Sequence, residues 1–430
     1  AISAKRLGVD VLLVESSGLL GGNTTQSLVA PWMTFHDDSK QVIKGIAQEI
    51  VERLIERNYT KGHIPDPIGF ASTITPIDTE GVKEVLFEMV IEENIDVLLH
   101  SFISSVNKKD NELTNITIST KSGFISLESK VFIDATGDGD VAFLSGEEFQ
   151  HGRKEDSLTQ PMTMMFNVDN VDVKKIRNYI DNNQDDFHLD KDYKEQYTAG
   201  SGFFSFVNLA KSKNDLKLNR DRVLFFEEVR ENQVSINMTR VQNKSGVNVF
   251  DLSSAELEGR KQISEAFKFL KKYIPGFENS YILRTPSKIG VRETRHIVGE
   301  YAITLEDILE RKSFEDAICV SAFPIDIHSP SGNNLNLYEQ SLAKSYEIPL
   351  RVMIPKTIDS LIVTGRCISA THEANASLRV TPSAMALGEA AGVLAAISAK
   401  KNTKPRDVDH KLVQTQLSKQ GQIYKMKDVE

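Results

Sequence analysis

Cysteine is scarce in this chain of 430 residues, which contains only Cys319 and Cys367. The two lie far apart and form no CxxC pair, which argues against thiol–disulfide catalysis, a zinc site or an iron–sulfur cluster held by this chain. We therefore expect both cysteines to be buried filler residues, and we expect no bound metal.

The sequence also lacks an excess of basic charge and long apolar runs. The formal net charge is -9, whereas nucleic-acid binding needs a basic face, so we expect no nucleic-acid partner. No apolar run reaches the roughly 18 residues that span a bilayer, and the N-terminus lacks the layout of a signal peptide. We expect no membrane span and a cytoplasmic location. The hydrophobic share of 40% is ordinary for globular proteins, and the length predicts two or three domains.

The first 15 residues have the pattern of half a nucleotide-binding unit. Lys5 and Arg6 are typical of the last turn of a helix, and Gly8 is a helix stop. Residues 9–14 are an apolar, β-branched run, which predicts a strand covered on both faces, and Glu15 follows it. Helix, glycine turn, strand and terminal acid are the second half of a βαβ unit.

The first half of that unit carries a strand and a G-x-G-x-x-G phosphate loop, with its ribose-binding acid about 20 residues further on. Counting back from Glu15 places the loop before residue 1. We expect that this sequence does not include the first strand and the glycine loop of its own nucleotide fold.

The rest of the chain contains both helical and strand patterns. Periodicity predicts helices over 40–58 and 80–92, an antiparallel meander over 96–133, and a buried strand that runs into the Gly-Asp turn at 134–140. Strands at 162–168 and 234–238 and a helix at 255–273 indicate an inserted domain.

Near the end, 361–363 is a buried strand, and Thr381 as N-cap with Pro382 at N1 predicts a helix start. The helix continues through 384–399, where Gly388 and Gly392 favour close packing against another backbone. The predicted fold class is α/β: a Rossmann-like nucleotide-binding domain with a small antiparallel meander and an inserted α+β substrate domain. We place the domains at 1–160 and 346–430, which share the nucleotide fold, and at 161–345, the substrate domain.

Six short segments, in this order and spacing, carry a resemblance to a known family. They are 11–15 with Gly21-Gly22-Asn23-Thr24, the Gly-Asp turn at 134–140, 160–163, 290–295, 324–328 and 364–374. Together they resemble the FAD-dependent oxidoreductase family, which is related to fumarate reductase flavoprotein subunits and to glutathione-reductase-type flavin folds. The resemblance covers nearly the whole chain and implies FAD as cofactor. Because the glycine loop would hold the FAD pyrophosphate, we expect its restoration upstream to raise FAD occupancy.

The resemblance implies a cofactor site at three strand ends. Glu15 would accept hydrogen bonds from the ribose, the alternative being a solvated strand-end acid. The other predicted contacts fall in four groups: Gly21, Gly22, Asn23 and Thr24 toward the phosphates and ribityl chain; Thr136, Gly137 and Asp138 toward the adenine end; Gly365 and Arg366 toward the ribityl or pyrophosphate groups; and the amides of Ser383, Ala384 and Met385 toward the flavin pyrimidine oxygen. The alternatives are a plain surface loop for the first group, helix capping by Asp138 for the second, an altered substrate side at Arg366 for the third and an ordinary buried helix for the fourth.

Two polar clusters indicate a substrate side. Arginine offers a fork for a carboxylate and histidine moves protons near neutral pH, so we predict Arg292 and Arg379 as anion clamps and His372 as acid or base. A structural ion pair from Arg292 or Arg295 to Glu293 or Glu373 is the alternative. His328 and His36 are weaker candidates.

The predicted function is hydride transfer between flavin N5 and a small polar or carboxylate-bearing substrate. An electron-transfer subunit that serves a redox partner protein, and an inactive flavoprotein, remain alternatives. A nicotinamide dehydrogenase without flavin fits less well. A homo-oligomer stays open.

Overall fold

The computed structural model describes residues 1–190, 197–330, 335–337 and 344–429. Its first part contains α1 Ile2–Arg6, β1 Leu12–Val14, α2 Gly22–Gln26, β2 Trp32–Met33, β3 His36–Asp37, β4 Lys40–Gln41, α3 Ile46–Glu56, β5 Ile64–Pro65, β6 Thr73–Thr75, α4 Thr79–Glu92, β7 Asp96–Leu98, β8 Phe102–Lys109, β9 Glu112–Thr120, β10 Gly123–Leu127, β11 Phe132–Asp134, α5 Asp140–Leu144 and β12 Phe149–His151. Strands β8, β9 and β10 form the predicted antiparallel meander.

The middle part is built on one antiparallel sheet of six strands, in the order β14-β15-β16-β17-β13-β18. Three helices accompany it, and a separate apolar core that includes Phe166, Phe225 and Phe269 holds them together. The elements are β13 Phe166–Asp169, α6 Val173–Asn182, β14 Phe187–His188, β15 Ala199–Gly202, α7 Phe204–Ser212, β16 Val223–Glu227, β17 Val234–Asn237, α8 Val249–Tyr273, β18 Tyr281–Arg284, β19 Arg295–Ile297 and α9 Leu305–Leu309.

The last part of the chain packs with the first part around a shared apolar core, which we call the first core. It contains β20 Ala317–Ser321, β21 Asp326–His328, β22 Leu335–Leu337, β23 Tyr346–Pro349, β24 Leu361–Val363, α10 His372–Leu378, α11 Thr381–Lys401 and α12 His410–Lys419, and the chain also has short 3₁₀ helices at Gln184–Asp186, Leu350–Met353, Gly365–Cys367, Pro405–Asp407 and Met426–Asp428.

Two parallel strand pairs set up the site. Strand β1 pairs with β7, and β11 pairs with β24. The turns that follow β1, β11 and β24 carry Glu15, Thr136 and Gly365. Ligands of open α/β sheets bind outside the carboxyl ends of parallel strands, so this edge is the expected location of a nucleotide. The α/β prediction with its Rossmann-like pairs is confirmed; the domain boundaries at 160 and 345 stay a prediction.

Helix α11 is the central helix of the first core and packs against α1, α3 and α12. By length and composition it could cross a membrane, but 72% of its most apolar stretch is buried inside the protein. At Gly392 a Cβ would lie 3.0 Å from the backbone nitrogen of Ala4, which is the close approach that the glycine predicts. The apolar composition of α11 therefore serves internal packing.

Two local predictions are wrong. Strand β1 is not covered on both faces: Leu13 packs with α4, whereas Leu12 is 43% exposed. The N-cap of α11 is Val380 rather than Thr381, and no side chain caps the helix, which leaves its first amides available. Cys319 and Cys367 are buried free thiols, as predicted.

Candidate functional site

A large cavity lies where the predicted strand ends meet. Its volume is about 1110 Å³, beyond the roughly 300–1,000 Å³ of most small-molecule sites, so it can accept a dinucleotide and a substrate together. The predicted cofactor residues that line it are Glu15, Gly21, Gly22, Asn23, Thr24, Thr136, Gly137, Gly365, Arg366, Ala384 and Met385. Three strand ends far apart in sequence thus share one cleft.

The turn after β11 is held by a buried carboxylate. Asp134 accepts hydrogen bonds from the backbone and hydroxyl of Thr136 and from the amide of Ala142. Asp138 does not line the cavity and does not cap α5. Its carboxylate instead accepts from Arg366 at 2.9 Å and from Thr294 at 2.8 Å. The prediction of Asp138 as a cofactor contact therefore gives way to a role in positioning Arg366.

Glycines form a cradle whose open side faces the cavity. At Gly22, Gly365 and Gly388, no atom lies within 4 Å of the place where a Cβ would stand. Arg366 adds a buried Nη1 with no hydrogen-bond partner among the described residues. Bare backbone, an unused guanidinium donor and the Glu15 carboxylate on one cavity are what the ribose and phosphates of FAD need, so the residues present fit this cofactor.

The side chains of Asn23 and Thr24 form hydrogen bonds with other residues of the chain. Asn23 Nδ2 donates to the carbonyl of Val291, and the Thr24 hydroxyl accepts from the indole of Trp32 at 3.0 Å. These bonds fix the loop that carries Gly21 and Gly22. Among the contacts that remain for a cofactor are those of the backbone of this loop and the hydroxyl proton of Thr24.

The first turns of α11 border the same cleft: Ala384 and Met385 line it, although the Ala384 amide donates to the carbonyl of Val380 at 2.9 Å. Ser383 does not line it; its hydroxyl is bound to that of Ser321 at 2.8 Å. The partial positive charge of a helix N-terminus stabilises negative charge on a ligand. Two of the three predicted positions of this helix thus reach the cavity.

One carboxyl group of the cavity wall was not foreseen. Glu389 is 3% exposed and sits two turns into α11. Its Oε2 accepts from the amide of Ile46 at 2.8 Å, while Oε1 has no partner among the described residues. Burial raises the pKa of Glu389 to about 7, so the folded protein holds a proton that the unfolded chain releases.

Glu389→Gln should therefore stabilise the protein at alkaline pH. The raised pKa destabilises the folded state increasingly from pH 4.5 to about 7, by up to about 3 kcal/mol at ~1.4 kcal/mol per unit. Glutamine keeps the acceptor for Ile46 without the titration. Thermal unfolding should show a higher Tm for the variant at pH 8 and little change at pH 5. The control is Glu56→Gln, at a side chain 73% exposed; an equal response at both pH values would contradict the prediction.

The second half of the cavity is rich in arginine. Arg292 Nη1 donates to the Pro161 carbonyl at 2.6 Å and to the Thr163 hydroxyl at 2.5 Å. Arg379 lies against Asp326, with 3.1 Å between Nη2 and Oδ2. Burial, reinforced by the charge of Arg379, lowers the pKa of Arg292 to about 9. The two predicted anion clamps, Arg292 and Arg379, thus lie together on one wall of the cavity, which we call the arginine wall.

Asp326 also binds His328, with 3.1 Å between Oδ2 and Nε2. Burial lowers the pKa of His328 to about 3, so its imidazole is neutral at physiological pH. Burial alone would raise the pKa of Asp326, but His328, Arg379 and Arg292 hold it below its usual range. Because a carboxylate only accepts, Asp326 fixes the proton of His328 on Nε2 and leaves Nδ1 with a lone pair.

His372 does not line the cavity. Its Nδ1 lies 2.7 Å from Glu293 Oε1, and Glu293 also accepts from the amide of Gln160 and faces His296 at 3.2 Å. Arg295 pairs with Asp140 instead of Glu293. Neither predicted arginine ion pair is present among the described residues. His372 thus belongs to a buried network behind the arginine wall.

Several polar residues of the wall were missed by the sequence analysis. They come from the six-stranded sheet and its loops: His188, Ser201, Arg220, Arg222, Asn237 and Lys288. The run Arg220-Asp221-Arg222 directly before the apolar strand β16 was the available signal. Charged residues next to a core strand indicate a candidate functional site.

Comparison with known proteins identifies the family. The model of the FAD dependent oxidoreductase family matches residues 1–417. A curated protein, the phosphoenolpyruvate-protein phosphotransferase of Borreliella burgdorferi, is 26% identical over 184 residues, or 42% of this chain and 31% of that protein. The chain thus spans about a third of the length of this relative, and the match is too partial to assign a function.

The similar solved structures share little sequence identity with this chain. The p-nitrophenol 4-monooxygenase of Pseudomonas putida DLL-E4 is 10% identical, with a TM-score of 0.46 and coverage of 96% of this chain and 79% of that one. A geranylgeranyl bacteriochlorophyll reductase-like protein of Thermoplasma acidophilum is 11% identical, with a TM-score of 0.42 and coverage of 98% and 80%. At these TM-scores neither likeness bears on activity. The family match over nearly the whole chain, together with the glycine cradle at the strand ends, shows that the chain belongs to the FAD-dependent oxidoreductase family.

Proposed function

We propose that the chain transfers hydride between FAD and a small carboxylate-bearing organic substrate. The observation that carries this proposal is Arg292, a half-buried guanidinium on the cavity wall that forms no ion pair with a carboxylate among the described residues. A charge that is partly removed from water without an ion-pair partner is costly, and an anionic ligand removes that cost. Arg379, held by Asp326, is the second clamp on the same wall.

Bound FAD supplies hydride exchange at flavin N5. The residues of this chain that would hold it line the cavity: Glu15, the Gly21-Gly22 backbone, Gly137, Gly365, Arg366 and the N-terminal turn of α11. The arginine wall belongs to the same cavity, so a substrate bound there shares one cleft with the cofactor.

His328 is the residue that we propose to move the substrate proton. It lines the cavity, is neutral at physiological pH, and has a free Nδ1 because Asp326 holds Nε2. Asp326 acts as a positioning residue that fixes the tautomer. His372, the acid or base predicted from sequence, is the weaker proposal because Glu293 occupies its Nδ1.

The test is anaerobic flavin reduction, followed as loss of absorbance near the flavin maximum of about 450 nm. FAD-loaded protein is mixed with reduced organic acids and with their neutral amides. We expect bleaching by acids and none by the matching amides. Bleaching by amides and acids alike would contradict the carboxylate requirement.

Arg292→Gln should weaken the binding of the active acid by about 10- to 100-fold, because a charge-assisted hydrogen bond contributes about 1.5–3 kcal/mol. Glutamine keeps an N–H donor but carries no positive charge. KM from the bleaching assay measures the loss, and flavin content per chain is the control for folding. An unchanged KM would remove Arg292 from the substrate site.

A further inference from the structure

Arg220 is a second guanidinium on the cavity wall that the proposed function does not use. It is 8% exposed and is separated from strand β16 by Asp221 and Arg222. Its one hydrogen bond among the described residues is a long one of 3.5 Å from Nη2 to the carbonyl of Asn237, and Nε has no partner. No carboxylate of the described residues lies within 4.0 Å of it.

The neighbouring acids are committed to other arginines. Asp221 is bound in two-pronged fashion by Arg222, at 2.9 and 2.8 Å. Asp326 is shared by His328 and Arg379. Arg220 and Arg292 are thus left as two cations on one cavity, neither of them in an ion pair with a carboxylate among the described residues, and Asp326 acts on both only at longer range. Burial, together with the charges of Arg240 and Arg222, outweighs the effect of Asp221 and Asp326 and lowers the pKa of Arg220 to about 10.

The two cations come from different structural elements. Arg220 is carried by the loop before β16, and Ser201, Leu224 and Asn237 of the same six-stranded sheet line the cavity beside it. Arg292 comes from the segment before β19 and is anchored on residues 161 and 163. A ligand that satisfies both must reach from the sheet to that segment, and each end must be anionic.

We infer that the substrate is a dianion, with one acidic group bound by Arg292 and a second group, carboxylate or phosphate, bound by Arg220. The inference rests on the proposed substrate site and names the class of molecule that fills it. Arg220 is then a specificity-determining residue: it distinguishes a dianion from a monoanion of the same length, because only the dianion neutralises both guanidiniums.

The test measures binding rather than turnover. Calorimetric titration of the oxidised, FAD-loaded protein uses α,ω-dicarboxylates of three to six carbons, monocarboxylates of the same lengths, and analogues with one carboxylate replaced by phosphonate. The best-fitting dianion should bind about 10- to 100-fold more tightly than its monoanion, the gain expected of one charge-assisted pair. Dicarboxylate and carboxy-phosphonate both support the inference, and the tighter of the two identifies the second group.

Variants assign the gain to Arg220. Arg220→Gln should abolish the preference for the dianion and leave monoanion affinity unchanged, whereas Arg220→Lys should retain part of the preference. Arg177→Gln, at an arginine that does not line the cavity, is the matched control. Equal affinity for every dianion and its monoanion overturns the inference, as does an equal loss of both ligands in Arg220→Gln. Because no electron transfer is measured, dianion binding can succeed where flavin bleaching fails, which separates this inference from the proposed function.

Discussion

Replacing His328 with glutamine should slow flavin reduction by the active acid by about 100- to 10,000-fold, the contribution of a positioned acid or base. Glutamine keeps a donor toward Asp326 but has no basic nitrogen that could take a proton from the substrate. The neutral imidazole and its free Nδ1 are lost, while the cavity wall keeps its shape. Stopped-flow absorbance under anaerobic conditions measures the rate, and substrate affinity should change little.

His372→Gln is the matched comparison. Its Nδ1 is bound by Glu293, and the side chain does not line the cavity, so its rate should remain within a few-fold of the wild type. Flavin content per chain must be the same in both variants. The reverse result, with a slow His372 variant and a fast His328 variant, would restore the assignment made from sequence.

Local patterns located the turns of the cofactor side. Glu15, Thr136 and Gly365 each lie within two residues of the end of an apolar strand, and a strand followed by a glycine or acidic turn is a short-range signal. That these three turns share a cavity was implied by the family resemblance, and it agrees with the rule that ligands meet parallel strands at their carboxyl ends. The structure places all three there.

The substrate side depends on contacts between distant segments, which local patterns do not contain. His372 sits in a predicted motif, but only the tertiary structure shows that Glu293, 79 positions away, binds it. Arg220 reaches the cavity because the six-stranded sheet packs beside the strand ends, and no periodicity in its own segment encodes that placement. Asp138 was left open between ligand and helix cap, and the structure gives it a third role, beside Arg366.

Glu389 marks a different limit. A lone acid in an Ala- and Gly-rich helix is visible in the sequence, yet its neighbours suggested only close helix packing. The burial of its carboxyl depends on α3, whose first amide it accepts from. Polar residues inside strongly apolar helices are worth treating as site candidates from the start.

Glu293→Gln should give the largest loss of stability, about 3–5 kcal/mol in the free energy of unfolding near pH 5.5, as is usual when one partner of a buried pair is removed. Burial would raise the pKa of Glu293, but hydrogen bonds from His296 and His372 outweigh it and lower the pKa to about 2. The stabilisation from Glu293 is therefore present above its ordinary pKa of 4.5 and is lost as pH falls toward 2.

The histidine partner sets the upper limit of the pH window. Burial opposes protonation of His372, yet the hydrogen bond and charge of Glu293 raise its pKa above 6.5. Its contribution is full below pH 6.5 and is lost as pH rises through the raised value. The difference in unfolding free energy between wild type and Glu293→Gln should thus be greatest between about pH 4.5 and 6.5 and decrease on both sides.

Denaturant unfolding at pH 3, 5.5 and 8.5 distinguishes this charge pairing from simple packing. Glutamine has nearly the shape of glutamate and still accepts from the Gln160 amide, so a packing effect would be small and independent of pH. The control is Glu128→Gln, at an exposed position, which should shift none of the three values. A constant difference across the three pH values would show that Glu293 stabilises the arginine wall without an ionised partner. His372 would then be free to titrate, and its case as the proton-transferring residue would be renewed.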